Sequence, residues 1–313
     1  MAPRMWFNGK LVDPSQAKVD FLTPALHYGI GVFEGIRSYE TVNGPAIFRL
    51  DDHLDRLLQS ASVLGFRSLP WSLADLRQAC IDVARESGFH ECYIRPLIYL
   101  AEGGWNLTID AGKPHCGIAA WEWKQYFSED ALAKGLRANV SSFTRHHPNV
   151  MMTKAKISGN YVNSMLAKTE SLRLGFDEAI MLDTQGLVSE CTGENLFIVQ
   201  KGQIRTTPDS NILNGITRGS LMVLAHDLGM SISEGPISRD QLYMADEVFV
   251  CGTAAEVIGL WEIDFRVIGR GRCGPVTRAL QQAYHALVRG EHARSAKWLT
   301  PVGSRPAQVA AAG

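Results

Sequence analysis

Between residues 51 and 64 the apolar positions Leu54, Leu57, Leu58 and Ala61 recur at helical spacing, which predicts a helix with one buried face. Ser72 is a suitable N-cap for a second helix running to about Glu86. Elsewhere in the first third the apolar residues form short continuous runs. Ala46-Ile47-Phe48-Arg49 predicts a short strand. Cys92 to Leu100 predicts a long one with Arg95 inside it, and His115 to Trp123 another. Phe7-Asn8-Gly9-Lys10 carries the Asn-Gly pair of a hairpin turn.

From Lys124 the texture changes. Lys124 to Asp130 is polar and aromatic without a period, which predicts an interdomain connector over 124–135. It separates a small N-terminal domain, 1–123, from a larger C-terminal domain, 136–313. In the second part strands are expected at Ala138 to Ser142, Glu178 to Leu182 and Asn195 to Val199. Helices are expected over Asn160 to Leu174, from Gly215-Ile216-Thr217, and over Val276 to Arg289. Strands and helices mix without a strict βαβ alternation, so the class is α+β. There is no internal repeat, and the tail from about Ala293 is expected to be loose.

The 313 residues are 46% hydrophobic and 20% charged, a globular composition. Lys+Arg total 31 against Asp+Glu 32, a balance that argues against a nucleic-acid surface but leaves room for a local phosphate pocket. None of the six cysteines forms a Cys-x-x-Cys pair, so no metal site is expected. Buried free thiols in a reducing compartment fit them better. The N-terminus lacks a signal-peptide core and no run reaches the length of a membrane span, so a cytoplasmic location is expected.

The candidate chemistry lies in a few short segments. Lys156 opens Lys156-Ile157-Ser158-Gly159-Asn160-Tyr161, and Glu190 follows in Val188-Ser189-Glu190. A lysine amine can form a Schiff base with a cofactor aldehyde, a carboxylate can keep a pyridine nitrogen protonated, and a phenol can bond a ring oxygen. These are the parts that pyridoxal 5′-phosphate (PLP) chemistry needs. Spacing alone does not choose between Lys156 and Lys154, because in an extended segment both point the same way. Asn214-Gly215-Ile216-Thr217 offers a glycine turn opening a helix, a site for phosphate, and Gly252-Thr253-Ala254 offers a second small-residue loop. Singly, each reads more readily as an ordinary turn or cap, and Arg56 as an exposed helix charge. Arg95 is more pointed. A guanidinium in an apolar strand either pairs internally or faces a pocket that receives an acid, and Tyr93 shares its face.

Together the segments resemble the class IV (fold type IV) PLP-dependent aminotransferases, and most of all the branched-chain amino acid aminotransferases. The resemblance spans about residues 5 to 290. It is carried by His27-Tyr28-Gly29, Val32-Phe33-Glu34-Gly35-Ile36-Arg37, Phe48-Arg49 with His53 and Arg56, and Tyr93-Ile94-Arg95-Pro96. The Lys156–Tyr161 segment continues it, with Gly193-Glu194-Asn195-Leu196-Phe197, Gly215-Ile216-Thr217-Arg218, Gly252-Thr253-Ala254-Ala255-Glu256 and Gly271-Arg272-Cys273-Gly274-Pro275. It implies a D-amino acid aminotransferase-like fold, with a small α/β N-terminal domain and a larger β-barrel-like C-terminal domain. Lys156 would carry the cofactor, Tyr161 would bond its O3′ and Glu190 its ring nitrogen. Arg56, Ile216, Thr217 and Thr253 would hold the phosphate, with Leu213 beside the ring. Tyr93 and the backbone of Thr253 and Ala254 would take the substrate α-carboxylate. Arg95 would take the side-chain carboxylate of glutamate or 2-oxoglutarate. Phe33, Arg37, Trp105, Trp123, Tyr126 and Tyr28 would line the substrate pocket, Tyr28 from the neighbouring subunit of a homodimer or dimer-based oligomer.

The implied activity is ping-pong transfer of the amino group of branched-chain or other hydrophobic L-amino acids to 2-oxoglutarate. Gly103-Gly104-Trp105-Asn106-Leu107, the 121–126 segment and Met151-Met152 depart from the branched-chain pattern and bear on the substrate. The alternative readings are a related transaminase of D-amino acids or (R)-amines, a lyase of the aminodeoxychorismate type on the same scaffold, and a catalytically silent PLP-binding or interaction protein.

Overall fold

The computed structural model describes residues 4–103, 105–110, 112–123 and 128–303. Within them the strands form two sheets, of eight and nine strands. The first is organised around the long strand Cys92–Glu102, which pairs antiparallel with Ile36–Tyr39 and Gly31–Phe33 on one side and with Lys113–Glu122 on the other. The hairpin Met5–Phe7 and Lys10–Val12 closes one edge. Its turn holds Asn8 and Gly9 at φ 47° and 98°, the left-handed pair that an Asn-Gly hairpin requires.

The two helices expected in the first third form as Leu50–Leu64 and Leu73–Ser87. Ser72 caps the second with a reciprocal box. Its hydroxyl accepts from the Asp75 N–H at 3.2 Å, and the Asp75 carboxylate accepts from the Ser72 N–H at 2.8 Å. The apolar stripe Leu54, Leu57 and Ala61 is fully buried and packs in one cluster with Ile36, Ile94 and Ile98 of the sheet.

The second sheet is mixed. Leu136–Val140 runs parallel to both Glu178–Leu182 and Glu256–Ile263, while Glu247–Gly252 pairs antiparallel with Glu256–Ile263 and Asn195–Gln200. Helices Ile216–Asp227 and Pro275–Val288 cover it, and Phe197 and Phe249 stack at 4.8 Å beneath them. The same core cluster takes in Tyr39 and Phe48 from the first sheet, against Tyr284, so one apolar body joins the two sheets.

Two expectations change. The described part of the tail expected to loosen from about residue 293 instead forms a helical turn, Ser295–Trp298, and a strand, Leu299–Pro301, while residues 304–313 of that tail lie outside the described residues. That strand pairs with Ala46–Phe48, so the chain returns to the first sheet after building the second. Ring contacts hold it: Trp298 lies 6.2 Å from Phe48 and under the Arg49 guanidinium at 4.7 Å. The connector is also partly regular. Glu129–Lys134 is a short helix whose cap, Ser128, accepts from the Ala131 N–H at 3.2 Å. Residues 124–127 lie outside the described residues. No described helix is long and apolar enough to cross a membrane.

Candidate active site

A cavity of about 370 Å³ opens where the two sheets meet. Phe33, Tyr93 and Arg95 enter it from the first sheet, Glu190 and Asn195 from the second, and Thr253 from the turn after strand Glu247–Gly252. Lys156 enters on a segment tied to the first sheet. The Phe33 N–H donates to the Lys156 carbonyl at 3.1 Å, and the Lys156 N–H donates to the Ser60 hydroxyl at 3.0 Å. Its side chain lines the cavity with Nζ 2.6 Å from the Tyr161 hydroxyl. Lys154 does not share that direction. A turn at 153–155 breaks the alternation assumed for an extended segment. Lys154 Nζ points outward to the Asp209 carbonyl and to Asn214 Oδ1 at 3.2 Å.

Glu190 is buried at one end of the cavity. Its Oε2 accepts from the Leu213 N–H at 3.1 Å and from Asn195 Nδ2 at 3.3 Å, and Arg145 Nε stands 2.8 Å from its Oε1. Burial pushes its carboxyl above the ordinary glutamate range, with Arg145 the strongest opposing influence. Arg145 and Asn195 had no role assigned from the sequence. Asn195 stood in the motif without one, and Arg145 lies 45 positions from its partner in an aperiodic stretch, with no local signal to mark it.

At the other end Arg56 is fixed before anything binds. Its Nε and Nη2 reach the two oxygens of Glu34 at 2.6 and 2.8 Å, and Nη1 donates to the Asn214 carbonyl at 2.7 Å. Glu34 is fully buried and also meets His53 Nδ1 at 2.7 Å. Burial alone would raise this carboxyl; Arg56 and then His53 override it and hold it well below the ordinary range. Beside Arg56 the helix Ile216–Asp227 begins, where the N–H groups of Ile216 and Thr217 have no intrahelical acceptors. Gly215 permits the close approach of that turn, because a Cβ there would meet Asn195 Oδ1 at 2.1 Å.

This arrangement predicts the behaviour of Glu34→Gln. Breaking one member of a buried charge network costs about 3 kcal/mol, measurable by denaturant unfolding of the cofactor-free protein at neutral pH. A carboxyl held below its ordinary value of 4.5 contributes stability that is present above that pH and is lost as pH falls below it. The variant should therefore lose less stability than wild type between about pH 5 and pH 3. An equally steep acid loss in both proteins would contradict the assignment.

Arg95 answers the question its strand raised. Among the described residues it pairs with no carboxylate, and its Nε is buried without a partner. Its guanidinium lies over Phe33 at 4.6 Å, with Tyr93 at 5.4 Å and Trp121 at 5.7 Å. The Tyr93 hydroxyl occupies space that only a glycine at 35 leaves open, since a Cβ there would meet it at 1.8 Å.

Leu213, Ile216, Thr217, Thr253 and Ala254 also border the cavity. Others do not. Arg37 is a correction: it is buried outside the cavity lining, with Nη1 donating to Glu256 at 2.6 Å and the guanidinium 4.4 Å over the Tyr39 ring. Trp105 is outside it too, and Tyr28, which the resemblance assigns to the neighbouring subunit's pocket, packs on it at 5.9 Å, both substantially exposed. Trp123 stands behind Tyr93 at 4.9 Å. Tyr126 lies outside the described residues.

The donors fit PLP. A cation and a helix start suit its phosphate, a buried acid its ring nitrogen, and an amine beside a phenol its aldehyde and ring oxygen. A family model described as amino-transferase class IV matches residues 31–263. The branched-chain-amino-acid aminotransferase of Pseudomonas aeruginosa is 46% identical over 298 residues, 95% of this chain and 97% of that one. The T.th. branched-chain amino acid aminotransferase with pyridoxamine 5′-phosphate superposes with a TM-score of 0.93, at 46% identity, covering 97% of this chain and 99% of that one. The same enzyme complexed with N-(5′-phosphopyridoxyl)-L-glutamate gives 0.92 at 45% identity, covering 97% and 99%. A cavity whose donors match each part of the cofactor, on a fold shared almost end to end with these enzymes, places the chain in the class IV aminotransferases.

Proposed function

We propose that this protein moves the amino group of branched-chain and other hydrophobic L-amino acids to 2-oxoglutarate by a ping-pong route with PLP. Bound PLP supplies an aldehyde that receives the amino group and a ring that draws electron density from the substrate carbon. The chain's own groups do the rest. Lys156 anchors the cofactor and moves the proton at the substrate α-carbon, oriented by the Tyr161 hydroxyl at 2.6 Å. Glu190 keeps the proton on the ring nitrogen. Arg56 and the N–H groups of Ile216 and Thr217 hold the phosphate, with Thr253 beside them. Tyr93 and the backbone of Thr253 and Ala254 bind the α-carboxylate.

One observation carries the substrate reading: among the described residues Arg95 is a guanidinium without a carboxylate partner, inside an aromatic collar. The collar accepts an aliphatic side chain, and the guanidinium accepts the second carboxylate of glutamate in the other half-reaction. Arg95→Leu should therefore raise KM for 2-oxoglutarate about tenfold to a hundredfold and change KM for L-leucine much less. Equal losses for both substrates would remove the reading, as would a donor screen in which D-leucine or a simple amine outpaces L-leucine.

The exposed apolar group Phe21, Leu22, Leu26, Tyr28, Trp105 and Leu107 supports a homodimer, because single chains rarely leave so much apolar surface uncovered. The six buried free cysteines fit a reducing compartment such as the cytoplasm.

A further inference from the structure

Arg37 is not among the residues that line the cavity, yet it joins the two walls on which the α-carboxylate site is built. Its backbone lies in register with Tyr93, across from it in the first sheet. Its side chain leaves that sheet and reaches Glu256, the first residue of strand Glu256–Ile263 in the second. Glu256 is paired across a tight turn with Gly252, so it forms the base of the loop that presents Thr253 and Ala254. It is held at φ 54°, left-handed for a non-glycine residue. Such a conformation is costly and persists where surrounding contacts enforce it. The contact is a short ion pair, 2.6 Å, with a guanidinium only 4% exposed and further steadied by Glu91 at 3.6 Å and by the Tyr39 ring.

We propose that the Arg37–Glu256 pair is a tether that sets the spacing between Tyr93 and the Thr253–Ala254 loop, and so tunes affinity for the substrate α-carboxylate. Arg37 is then a positioning residue and not a ligand of substrate. The inference rests on the assignment of Tyr93, Thr253 and Ala254 to that carboxylate. It predicts a selective defect. Without the tether the loop relaxes, and carboxylate binding weakens while the Lys156 end of the cavity is unchanged.

The test uses holoenzyme carrying Glu256→Ala, Arg37→Met, or both. Glu256 is partly exposed and Arg37 keeps Glu91 as a counter-ion at 3.6 Å, so Glu256→Ala serves if Arg37→Met does not fold. Binding of 4-methylvalerate, a branched acid that cannot react, is followed by the change in the bound cofactor's visible spectrum. Either single variant should weaken it about tenfold, and the double variant no further, the signature of a coupled pair. KM for L-leucine should rise in step, with kcat within about threefold, and reaction with isopentylamine, which has no carboxylate, should keep its wild-type rate. Unchanged affinity in Glu256→Ala, losses that multiply in the double variant, or an equal defect with isopentylamine would each overturn the tether. Wild-type protein inert towards L-leucine would instead overturn the functional reading, and the 4-methylvalerate titration would still decide the tether.

Discussion

Lys156→Ala should lose the visible absorbance of the bound cofactor and at least about 10⁴-fold of turnover. Lys154→Ala should keep both to within about threefold, because an exposed pair contributes little. The contrast is large because the two lysines differ in surroundings and not in chemistry. Lys156 Nζ shares the cavity with Tyr161 and lies 5.1 Å from the Phe33 ring centroid, so its replacement removes the only described lysine lining the cavity. Lys154 contacts Asp209 and Asn214 on the outer side. Purified variants, mixed with PLP and L-leucine, decide the matter by absorbance and by 2-oxoglutarate-dependent product formation. If Lys154→Ala is the silent protein and Lys156→Ala the active one, the site is misassigned.

The second large effect is expected at Glu190. Glu190→Gln should lower kcat about 10²–10³-fold, since an amide cannot hold a proton on the ring nitrogen with the strength of a carboxylate. Arg145→Met should cost less, about tenfold, because the Leu213 N–H and Asn195 still support the carboxylate. It should also change the pH profile. Burial raises the Glu190 carboxyl and Arg145 is the strongest influence opposing that rise. Removing Arg145 raises the carboxyl further, so the ionised form is lost at a higher pH as acid is added. The acid limb of kcat should shift upward in Arg145→Met and be absent as a Glu190 titration in Glu190→Gln. An unmoved limb in Arg145→Met would show that Arg145 does not govern this carboxylate.

Much of the first third was legible because its signals are local. Asn8-Gly9 needs only its own left-handed φ values to make the hairpin, and Ser72 needs only Asp75 three residues on. The stripe Leu54, Leu57 and Ala61 encodes one buried face whatever that face meets. The short strands Gln203–Thr206 and Ile232–Glu234 escaped notice, because three or four partly exposed residues carry no readable period. The strand Leu299–Pro301 escaped for another reason. Its partner is Ala46–Phe48, some 250 positions earlier, and nothing within its own residues announces that pairing.

The site divides in the same way. Lys156, Tyr161, Glu190, Arg56 and Arg95 were identifiable as residues of the right chemistry in recognisable words, and so was the glycine turn that opens the phosphate-side helix. The choice of Lys156 over Lys154 in this chain depends on a turn at 153–155 that aims one inward and the other out. The departure of Arg37 from the substrate pocket depends on Glu256, 219 positions away, and the control of Glu190 depends on Arg145. Side-chain type and short-range order are properties of the chain alone, so they carried the resemblance that implied the reaction class. Direction and charge pairing arise only when distant strands pack and exclude water. Burial then makes each ion pair's partner decisive, and that is information a linear order of residues does not contain.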